Sequence, residues 1–445
     1  MADARMMRLL GGAAALITGL LLGAASTLIV PATSAEDVSI TSPTPTPTPE
    51  PASLQRADFR KCSLQPAIDA AGDLTVHATF TDDATGQLLA EFHDDEPVPT
   101  ASVMKLVTAA TAYEVLGPDY RLTTQVVPGT KPGTVVLVGG GDPTLRSGDS
   151  SYFPGTTASI ADLAAQLGNQ RITAVGIDTS RYTGPQWHPS WGPEDRTLGY
   201  MSPISALMVD GGRADPAAQE SPRSEDPASD AAAVFAAQTG ASFDPALKPA
   251  PGAMPLAAVE SPTVAELVDL MLLESDNVIA EVLAREVAIK LDTGTDFDAI
   301  NQAQRQALLW LGVDVTGFVG ADGSGLSRDN RASAETIDEL LRVVSTHDEL
   351  APLLAGLPES QRTGTLERRF PELADGAVNA KTGQITESLG LAGWIDVDGG
   401  RVRMVVMVTR PVGGENAPVS VGVDRPLLDS VVARAQECGL QLSGQ

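Results

Sequence analysis

Three short elements carry the residue types that acyl-transfer chemistry needs: Ser102-Val103-Met104-Lys105, Ser275-Asp276-Asn277 and Lys381-Thr382-Gly383. If residues 102–116 are helical, Ser102 and Lys105 share a face and the lysine amine reaches the serine hydroxyl. A serine hydroxyl attacks a carbonyl only when a base takes its proton. An ammonium held in a desolvated, positively charged pocket has its pKa lowered toward that role. Ser102 is therefore the candidate nucleophile and Lys105 the candidate base. The same spacing also describes an ordinary helix start, with Ser102 as N-cap and Lys105 as an exposed first-turn residue. The flanks weigh against that. Pro97-Val98-Pro99 ends an extended stretch, and Met104, Leu106, Val107, Ala109, Ala110 and Ala112 make a mostly apolar helix in which a lysine needs a purpose or an escape route. Lysines stand only at 61, 105, 131, 248, 290 and 381, and two of these six fall within the three elements.

These residues must be positioned by helices and strands. The apolar positions of 264–273 recur at helical spacing, and 278–289 reads as the next helix, so Ser275-Asp276-Asn277 lies in the turn between them. Such a turn presents a hydroxyl and a carboxamide into a cleft, although a capping serine and asparagine would look the same. Residues 377–383 read as extended, followed by strands at 391–397 and 401–409 joined through Asp398-Gly399-Gly400, a hairpin turn. Lys381 would then run along a cleft edge, with Gly383 leaving room for a substrate backbone. An edge-strand charge that discourages aggregation would explain Lys381 alone, but not three ordered elements. Further helices are expected near 293–310 and 333–345, with a closing helix over 426–435. Together they predict an antiparallel sheet flanked by helices.

On these motifs the chain resembles the D-alanyl-D-alanine carboxypeptidase/endopeptidase family of class C low-molecular-mass penicillin-binding proteins. The resemblance spans roughly residues 60–436. Supporting stretches are Gly139-Gly140-Gly141-Asp142, Ser202-Pro203-Ile204-Ser205, Asp322-Gly323-Ser324-Gly325, and Gly364-Thr365-Leu366 with Arg369. It implies an α/β (α+β) transpeptidase fold of the penicillin-binding-protein/β-lactamase type, with one or two smaller domains inserted between the first two serines. The domains expected are 56–122 and 258–445 for the catalytic part and 123–257 for the insertion, within which 211–230 is expected to be a mobile loop.

The resemblance further implies serine-type D-Ala-D-Ala carboxypeptidase action, with endopeptidase action left open, on peptidoglycan stem peptides or cross-links through an acyl-serine. β-Lactams would act as covalent inhibitors, and no cofactor or metal is implied. Ser102 would attack, Lys105 activate, Ser275 and Lys381 pass a proton to the leaving amine, and Asn277 hold Lys105 and the substrate amide. Thr382 with Lys381 would bind the terminal carboxylate. The backbone N–H groups of Ser102 and Gln384 would form the oxyanion hole. Gln384-Ile385 departs from the family's small Thr or Ser followed by Leu, and Asp210 stands where relatives more often have asparagine. A transpeptidase or β-lactamase using the same serine, and a catalytically silent wall-binding scaffold, remain the alternatives.

Other features bound the setting. Arg5 and Arg8 precede an uncharged, mostly apolar stretch, 9–30, and Ala32-Thr33-Ser34-Ala35 offers small residues for cleavage. Residues 1–35 are thus a signal peptide or a retained membrane anchor, either of which exports the rest. Residues 36–55, rich in Thr and Pro, read as an extended tether. Cys62 and Cys438 are the only cysteines, and an exported pair at the two ends of a catalytic domain is expected to bridge. The formal charge of −27 excludes an unassisted nucleic-acid binder. His77, His93, His188 and His347 show no metal-ligand spacing, which speaks against a zinc peptidase. The glycine run 139–141 lacks the Gly-Lys-Ser/Thr ending of a phosphate loop and is read as a tight bend. Trp187 and Trp191 are assigned to a small-domain core in preference to a sugar- or peptide-binding surface. Oligomeric state has no signature in the chain.

Overall fold

A five-stranded antiparallel sheet, its three middle strands buried along most of their length on both faces, backs the elements that hold the three motifs. The computed structural model describes residues 62–155, 157–412 and 415–443; the expected leader and tether, 1–55, lie outside them. The main elements are β1 (Thr75–Asp82), β2 (Leu88–Phe92), α1 (Met104–Val115), β3 (Arg121–Pro128), β4 (Thr134–Val138), β5 (Ala174–Asp178), α2 (Pro227–Thr239), β6 (Ser242–Phe243), β7 (Ala257–Thr263), α3 (Val264–Glu274), α4 (Asn277–Lys290), α5 (Phe297–Trp310), α6 (Ala334–Thr346), β8 (Val378–Ile385), β9 (Ser388–Val397), β10 (Gly400–Thr409) and α7 (Asp424–Cys438). The first sheet has the order β2-β1-β10-β9-β8, antiparallel throughout. Its β9–β10 turn is the expected hairpin, tightened by Gly399 at φ +87°.

Alternation sorts the side chains of this sheet. Val402, Met404, Val406 and Val408 face α7, through Leu428, Val431 and Val432. Val405 and Met407 turn the other way, onto a cluster built from α1, α3, α4, α5 and α6. On β8, Val378 and Ala380 belong to the α7 side, so Lys381 and Gly383 point toward α1. Helix α1 packs against α3, α4 and α5, which fixes its N-terminal turn over β8 and β9.

The close approach depends on two paired glycines. Gly383 and Gly390 are direct partners across β8 and β9. A Cβ at Gly383 would sit 3.1 Å from Thr100 O and 3.2 Å from both Ala101 Cβ and Val103 Cγ2, and one at Gly390 would sit 2.9 Å from Val103 Cγ2. From local spacing alone, Gly383 makes room for a substrate backbone. In the fold it admits the turn that carries Ser102.

A second five-stranded sheet, β6-β5-β4-β3-β7, lies between α1 and α3 in the sequence. Its outer limits, 121 and 263, fall slightly outside the expected 123–257. Within this segment the expectation of a mobile loop at 211–230 is corrected. Arg213, Ser221 and Arg223 are buried, and α2 begins at Pro227. The composition was polar enough for a surface loop, but the arginines find buried partners: Arg223 Nη1 donates to Gly211 O and its Nε to Gly199 O, while Arg213 reaches a carboxylate of the site described below. Trp191 is buried against Phe297, Ile300 and Met201, a core role.

Cys62 and Cys438 form a disulfide across a sequence separation of 376, tying the start of the described chain to the end of α7. The adjoining segments Cys62–Ser63 and Leu442–Ser443 pair in parallel. Replacing both cysteines by serine is expected to destabilise the folded domain by about 2–4 kcal/mol, read by denaturant unfolding, with the wild type losing a similar amount under reductant.

Candidate active site

The turn before α1 is a 3-10 turn, Ala101–Val103, entered through Ala101 at φ +46°. Left-handed backbone at a residue with a side chain is costly and persists where packing over-determines it. Here Gly325, at φ +85°, lies against it: a Cβ on Gly325 would fall 1.8 Å from Ala101 O. Ser102 is thereby held at the mouth of the cleft. It is not the N-cap of α1, which is Val103 with no side-chain cap, and Lys105 is fully buried instead of exposed.

Lys105 Nζ is the hub. It lies 2.9 Å from Ser102 Oγ, 2.6 Å from Asn277 Oδ1 and 2.7 Å from Ser324 O. An ammonium would donate to all three. A neutral amine has two N–H groups for the carboxamide and carbonyl oxygens, and its lone pair is then left for the Ser102 hydroxyl proton. Burial pulls the Lys105 pKa down from 10.5 to about 8, while Asp322, Asp276 and Glu281 hold it from falling further. The neutral amine is accessible near neutrality in the one place where it can act as a base.

The second serine sits at the α3–α4 junction. Ser275 closes α3 in the left-handed conformation, φ +60°, and Asp276 caps α4 by accepting from Ile279 N at 2.9 Å. The other Asp276 oxygen accepts from Arg213 Nη2 at 2.9 Å, and both side chains are buried. Burial pushes the Asp276 carboxyl up, but Arg213 and Arg223 more than reverse it, leaving it below its ordinary value. Asn277 is therefore locked at both ends: its Nδ2 donates to Tyr200 O at 3.0 Å while its oxygen holds Lys105. Lys381 Nζ donates to Ser275 Oγ at 2.9 Å and to Thr382 O at 2.8 Å. Burial, with the nearby Lys105 adding repulsion, drops Lys381 well below its usual value.

A loop from outside the three motifs completes the hub. The Asp322 carboxylate accepts from Gly325 N, Ser327 N, Asn330 Nδ2 and Trp191 Nε1, winding 322–327 into a fixed turn that presents Ser324 O to Lys105. Glu281, on α4, braces the same turn by accepting from Gly323 N at 3.0 Å and Ser324 N at 2.8 Å. Its other oxygen has no protein partner. Burial first, and Asp322 second, raise Glu281 to about 8. Asp322–Gly325 is legible in the sequence as a supporting stretch, but nothing local there points to a role for Ser324, Glu281 or Arg213. A carbonyl and a brace from distant elements leave no local spacing to read.

The cleft has two contiguous parts. One, about 320 Å³, is lined by Ser102, Ser275, Thr365, Arg369, Thr382, Gly383, Gln384 and Arg425. The other, about 550 Å³, adds Asn277 and Tyr200 and runs toward Glu194 and Glu387. A further cavity of about 630 Å³ lies among Arg121, Phe153 and Asp269 and contains neither serine, so volume does not decide the site. Ser102, Lys105, Ser275, Asn277, Lys381, Thr382, Gly383 and Gln384 thus converge, whereas Cys62 and Cys438 form their bridge away from them. Asp210 is buried beneath the loop carrying Arg213 and accepts from Ser147 N, a supporting position outside the cleft.

Comparison with known proteins gives a consistent result. The family model described as D-Ala-D-Ala carboxypeptidase 3 (S13) matches residues 60–239 and 217–420. The chain is 37% identical over 376 residues to carboxypeptidase DacB of Mycolicibacterium smegmatis, covering 81% of this chain and 80% of that one. It is 38% identical to a Mycobacterium tuberculosis carboxypeptidase over 76% of this chain and 77% of the other. Among solved structures, penicillin binding protein 4 of Haemophilus influenzae superposes with a TM-score of 0.71 at 19% identity, covering 83% of this chain and 98% of that one, a likeness of fold.

Two outcomes test this geometry. The acylation rate of the free enzyme is expected to rise with pH through about 8, as Lys105 loses its proton. Glu281→Gln is expected to move that midpoint downward, because a carboxylate that holds the Lys105 ammonium is gone while Asp322 and Asp276 remain; stopped-flow acylation across pH reads both. Arg213→Ala leaves Asp276 buried and unpaired, for an expected loss of about 3–5 kcal/mol in unfolding experiments together with slower acylation.

Proposed function

The chain belongs to the D-Ala-D-Ala carboxypeptidase 3 (S13) family, and on that premise we propose that Ser102, Lys105, Ser275, Asn277 and Lys381 are its catalytic residues. The enzyme is a serine-type D-Ala-D-Ala carboxypeptidase of the penicillin-binding-protein fold, acting on peptidoglycan stem peptides. The observation that carries the assignment of roles is the Lys105 amine shared among Ser102, Asn277 and Ser324.

In the proposed reaction Ser102 Oγ attacks the carbonyl of the penultimate D-alanine and passes its proton to Lys105 Nζ. As the C–N bond breaks, the leaving amine takes a proton from Ser275 Oγ, which Lys381 Nζ replenishes. Water then attacks the ester, gives its proton to Lys381, and Ser102 recovers its own from Lys105. The lowered pKa of both lysines suits proton exchange in each direction. Asn277 orients Lys105 and the substrate amide. The backbone N–H groups of Ser102 and Gln384, both at the cleft wall, are proposed as the oxyanion donors. A side-chain change at 384 leaves such a donor intact. Thr382 and Lys381 are proposed to receive the terminal carboxylate.

Endopeptidase action on cross-links belongs to the same proposal, since a bond between D-alanine and the D-centre of a diamino acid also carries a carboxylate beside the leaving nitrogen. Action outside the cytoplasmic membrane is supported by the location of the substrate and by the disulfide. No helix among the described residues is long and apolar enough to cross a membrane. The signal or anchor role of 1–35 and the accessory role of 123–257 are proposed on sequence grounds.

Intact-mass analysis after incubation with a penicillin is expected to show one adduct on the wild type and none on Ser102→Ala. Lys105→Ala should acylate about 10²- to 10⁴-fold more slowly while still folding cooperatively. Equal adduct on the Ser102 variant would remove the nucleophile from this reading, and wild-type rates in the Lys105 variant would remove the base.

A further inference from the structure

The two parts of the cleft differ in the sign of their charge. The part running past Asn277 and Tyr200 is lined by Glu194, Asp195, Glu220, Glu274 and Glu387 against a single Arg328. The smaller part, on the Thr382 side, contains no acidic residue in its lining and two guanidinium groups, Arg369 and Arg425. In a chain of formal charge −27 this is a local reversal, and it lies beside Ser102 and Ser275.

The two arginines are held differently. Arg369 donates to Asp429 on α7, so its charge is already paired. Arg425, near the start of the same helix, is half-buried and donates through Nη2 to Gln384 Oε1 at 2.6 Å, a neutral partner; no ion pair to it forms among the described residues. The amide fixes the position of the guanidinium without neutralising it. Burial, followed by repulsion from Arg369, lowers the Arg425 pKa, with Asp429 opposing both without forming an ion pair to it. Gln384 also adjoins Thr382, whose Oγ1 donates to Thr365 Oγ1 at 2.8 Å in the same lining.

We propose that Arg425, held in place by the Gln384 side chain, binds the carboxylate beside the scissile amide nitrogen and thereby selects substrates whose leaving group is anionic. This rests on the acyl-serine reading above and adds to it a residue from a helix outside all three motifs. A guanidinium offers two parallel N–H donors to a carboxylate, whereas Lys381 is committed to Ser275 and the Thr382 carbonyl. The division of labour follows: Lys381, held on Ser275, serves the proton relay and forms one edge of the carboxylate site with Thr382, while Arg425 supplies its parallel pair of donors. The volume of about 320 Å³ accommodates a single amino-acid leaving group.

The test uses a pair of acyl-D-alanyl thioesters that differ only in the leaving thiol, thioglycolate or the uncharged 2-mercaptoethanol. Thioesters are reactive enough for both to turn over. Arg425→Ala is expected to lose about tenfold or more in kcat/KM on the thioglycolate ester and less than about twofold on the neutral ester, the loss of one charge-assisted contact. Arg425→Lys should recover part of the difference. Gln384→Ala, which frees the guanidinium without removing it, should lose part of the preference for the thioglycolate ester over the neutral ester, a ratio in which any change at the oxyanion donor is common to both esters. Turnover of the neutral ester shows that each variant is folded. Equal losses on both esters, or no loss on either, would overturn the role of Arg425 while leaving the acyl-serine chemistry standing. A wild type that hydrolyses neither ester and takes no acyl group on Ser102 would overturn the peptidase reading, and this subsite with it.

Discussion

The burial of the Lys105 amine is the constraint on which the rest of the site depends. A lysine with no exposed surface is unfavourable unless its nitrogen is fully engaged, and three oxygens from three different parts of the chain engage it. Each of those oxygens needs its own support. Ser102 sits in a turn strained at Ala101 and held by Gly325. Asn277 follows a carboxylate locked to Arg213. Ser324 O projects from a loop wound on Asp322 and braced by Glu281. The buried polar groups Arg213, Asp276, Glu281 and Asp322 together keep one nitrogen buried, lightly basic and aimed at one hydroxyl.

Backbone geometry provides the other half of the arrangement. The nucleophile turn lies directly on the β8–β9 pair because neither Gly383 nor Gly390 has a side chain. The same strand alternation that buries Val378 and Ala380 beneath α7 turns Lys381 to the reactive face. Packing and catalysis are thus set by one register: a shift of one residue in β8 would bury Lys381 under α7 and turn an alanine to the cleft.

Electrostatically, the site is a cationic patch sustained inside an acidic protein. Burial lowers the proton affinity of both lysines, Lys105 adds repulsion at Lys381, and the acidic groups around Lys105 limit its own fall. The lining beyond Thr382 continues the positive character, while the lining beyond Asn277 reverses it. A peptide with a free carboxylate at one end meets a cleft whose field already has a direction.

The three motifs, their helix and strand settings, the hairpin at 398–400 and the family were legible from the sequence, because each depends on local spacing: three residues along a helix, two along a strand, or a turn residue in its place. Local spacing could not show which groups meet from afar. Arg213 stood in a polar stretch read as mobile, yet it forms the buried ion pair beneath Ser275-Asp276-Asn277, since composition measures solubility and says nothing of a partner 63 residues away. Glu281 looked like one more position on an apolar helix, Ser324 contributes only a carbonyl that every residue possesses, and Arg425 reaches the cleft from a closing helix 41 residues after Gln384. The sequence by itself determined which atoms could react. The tertiary structure decided their protonation and direction, because pKa and aim depend on burial and on neighbours that only the folded chain brings together.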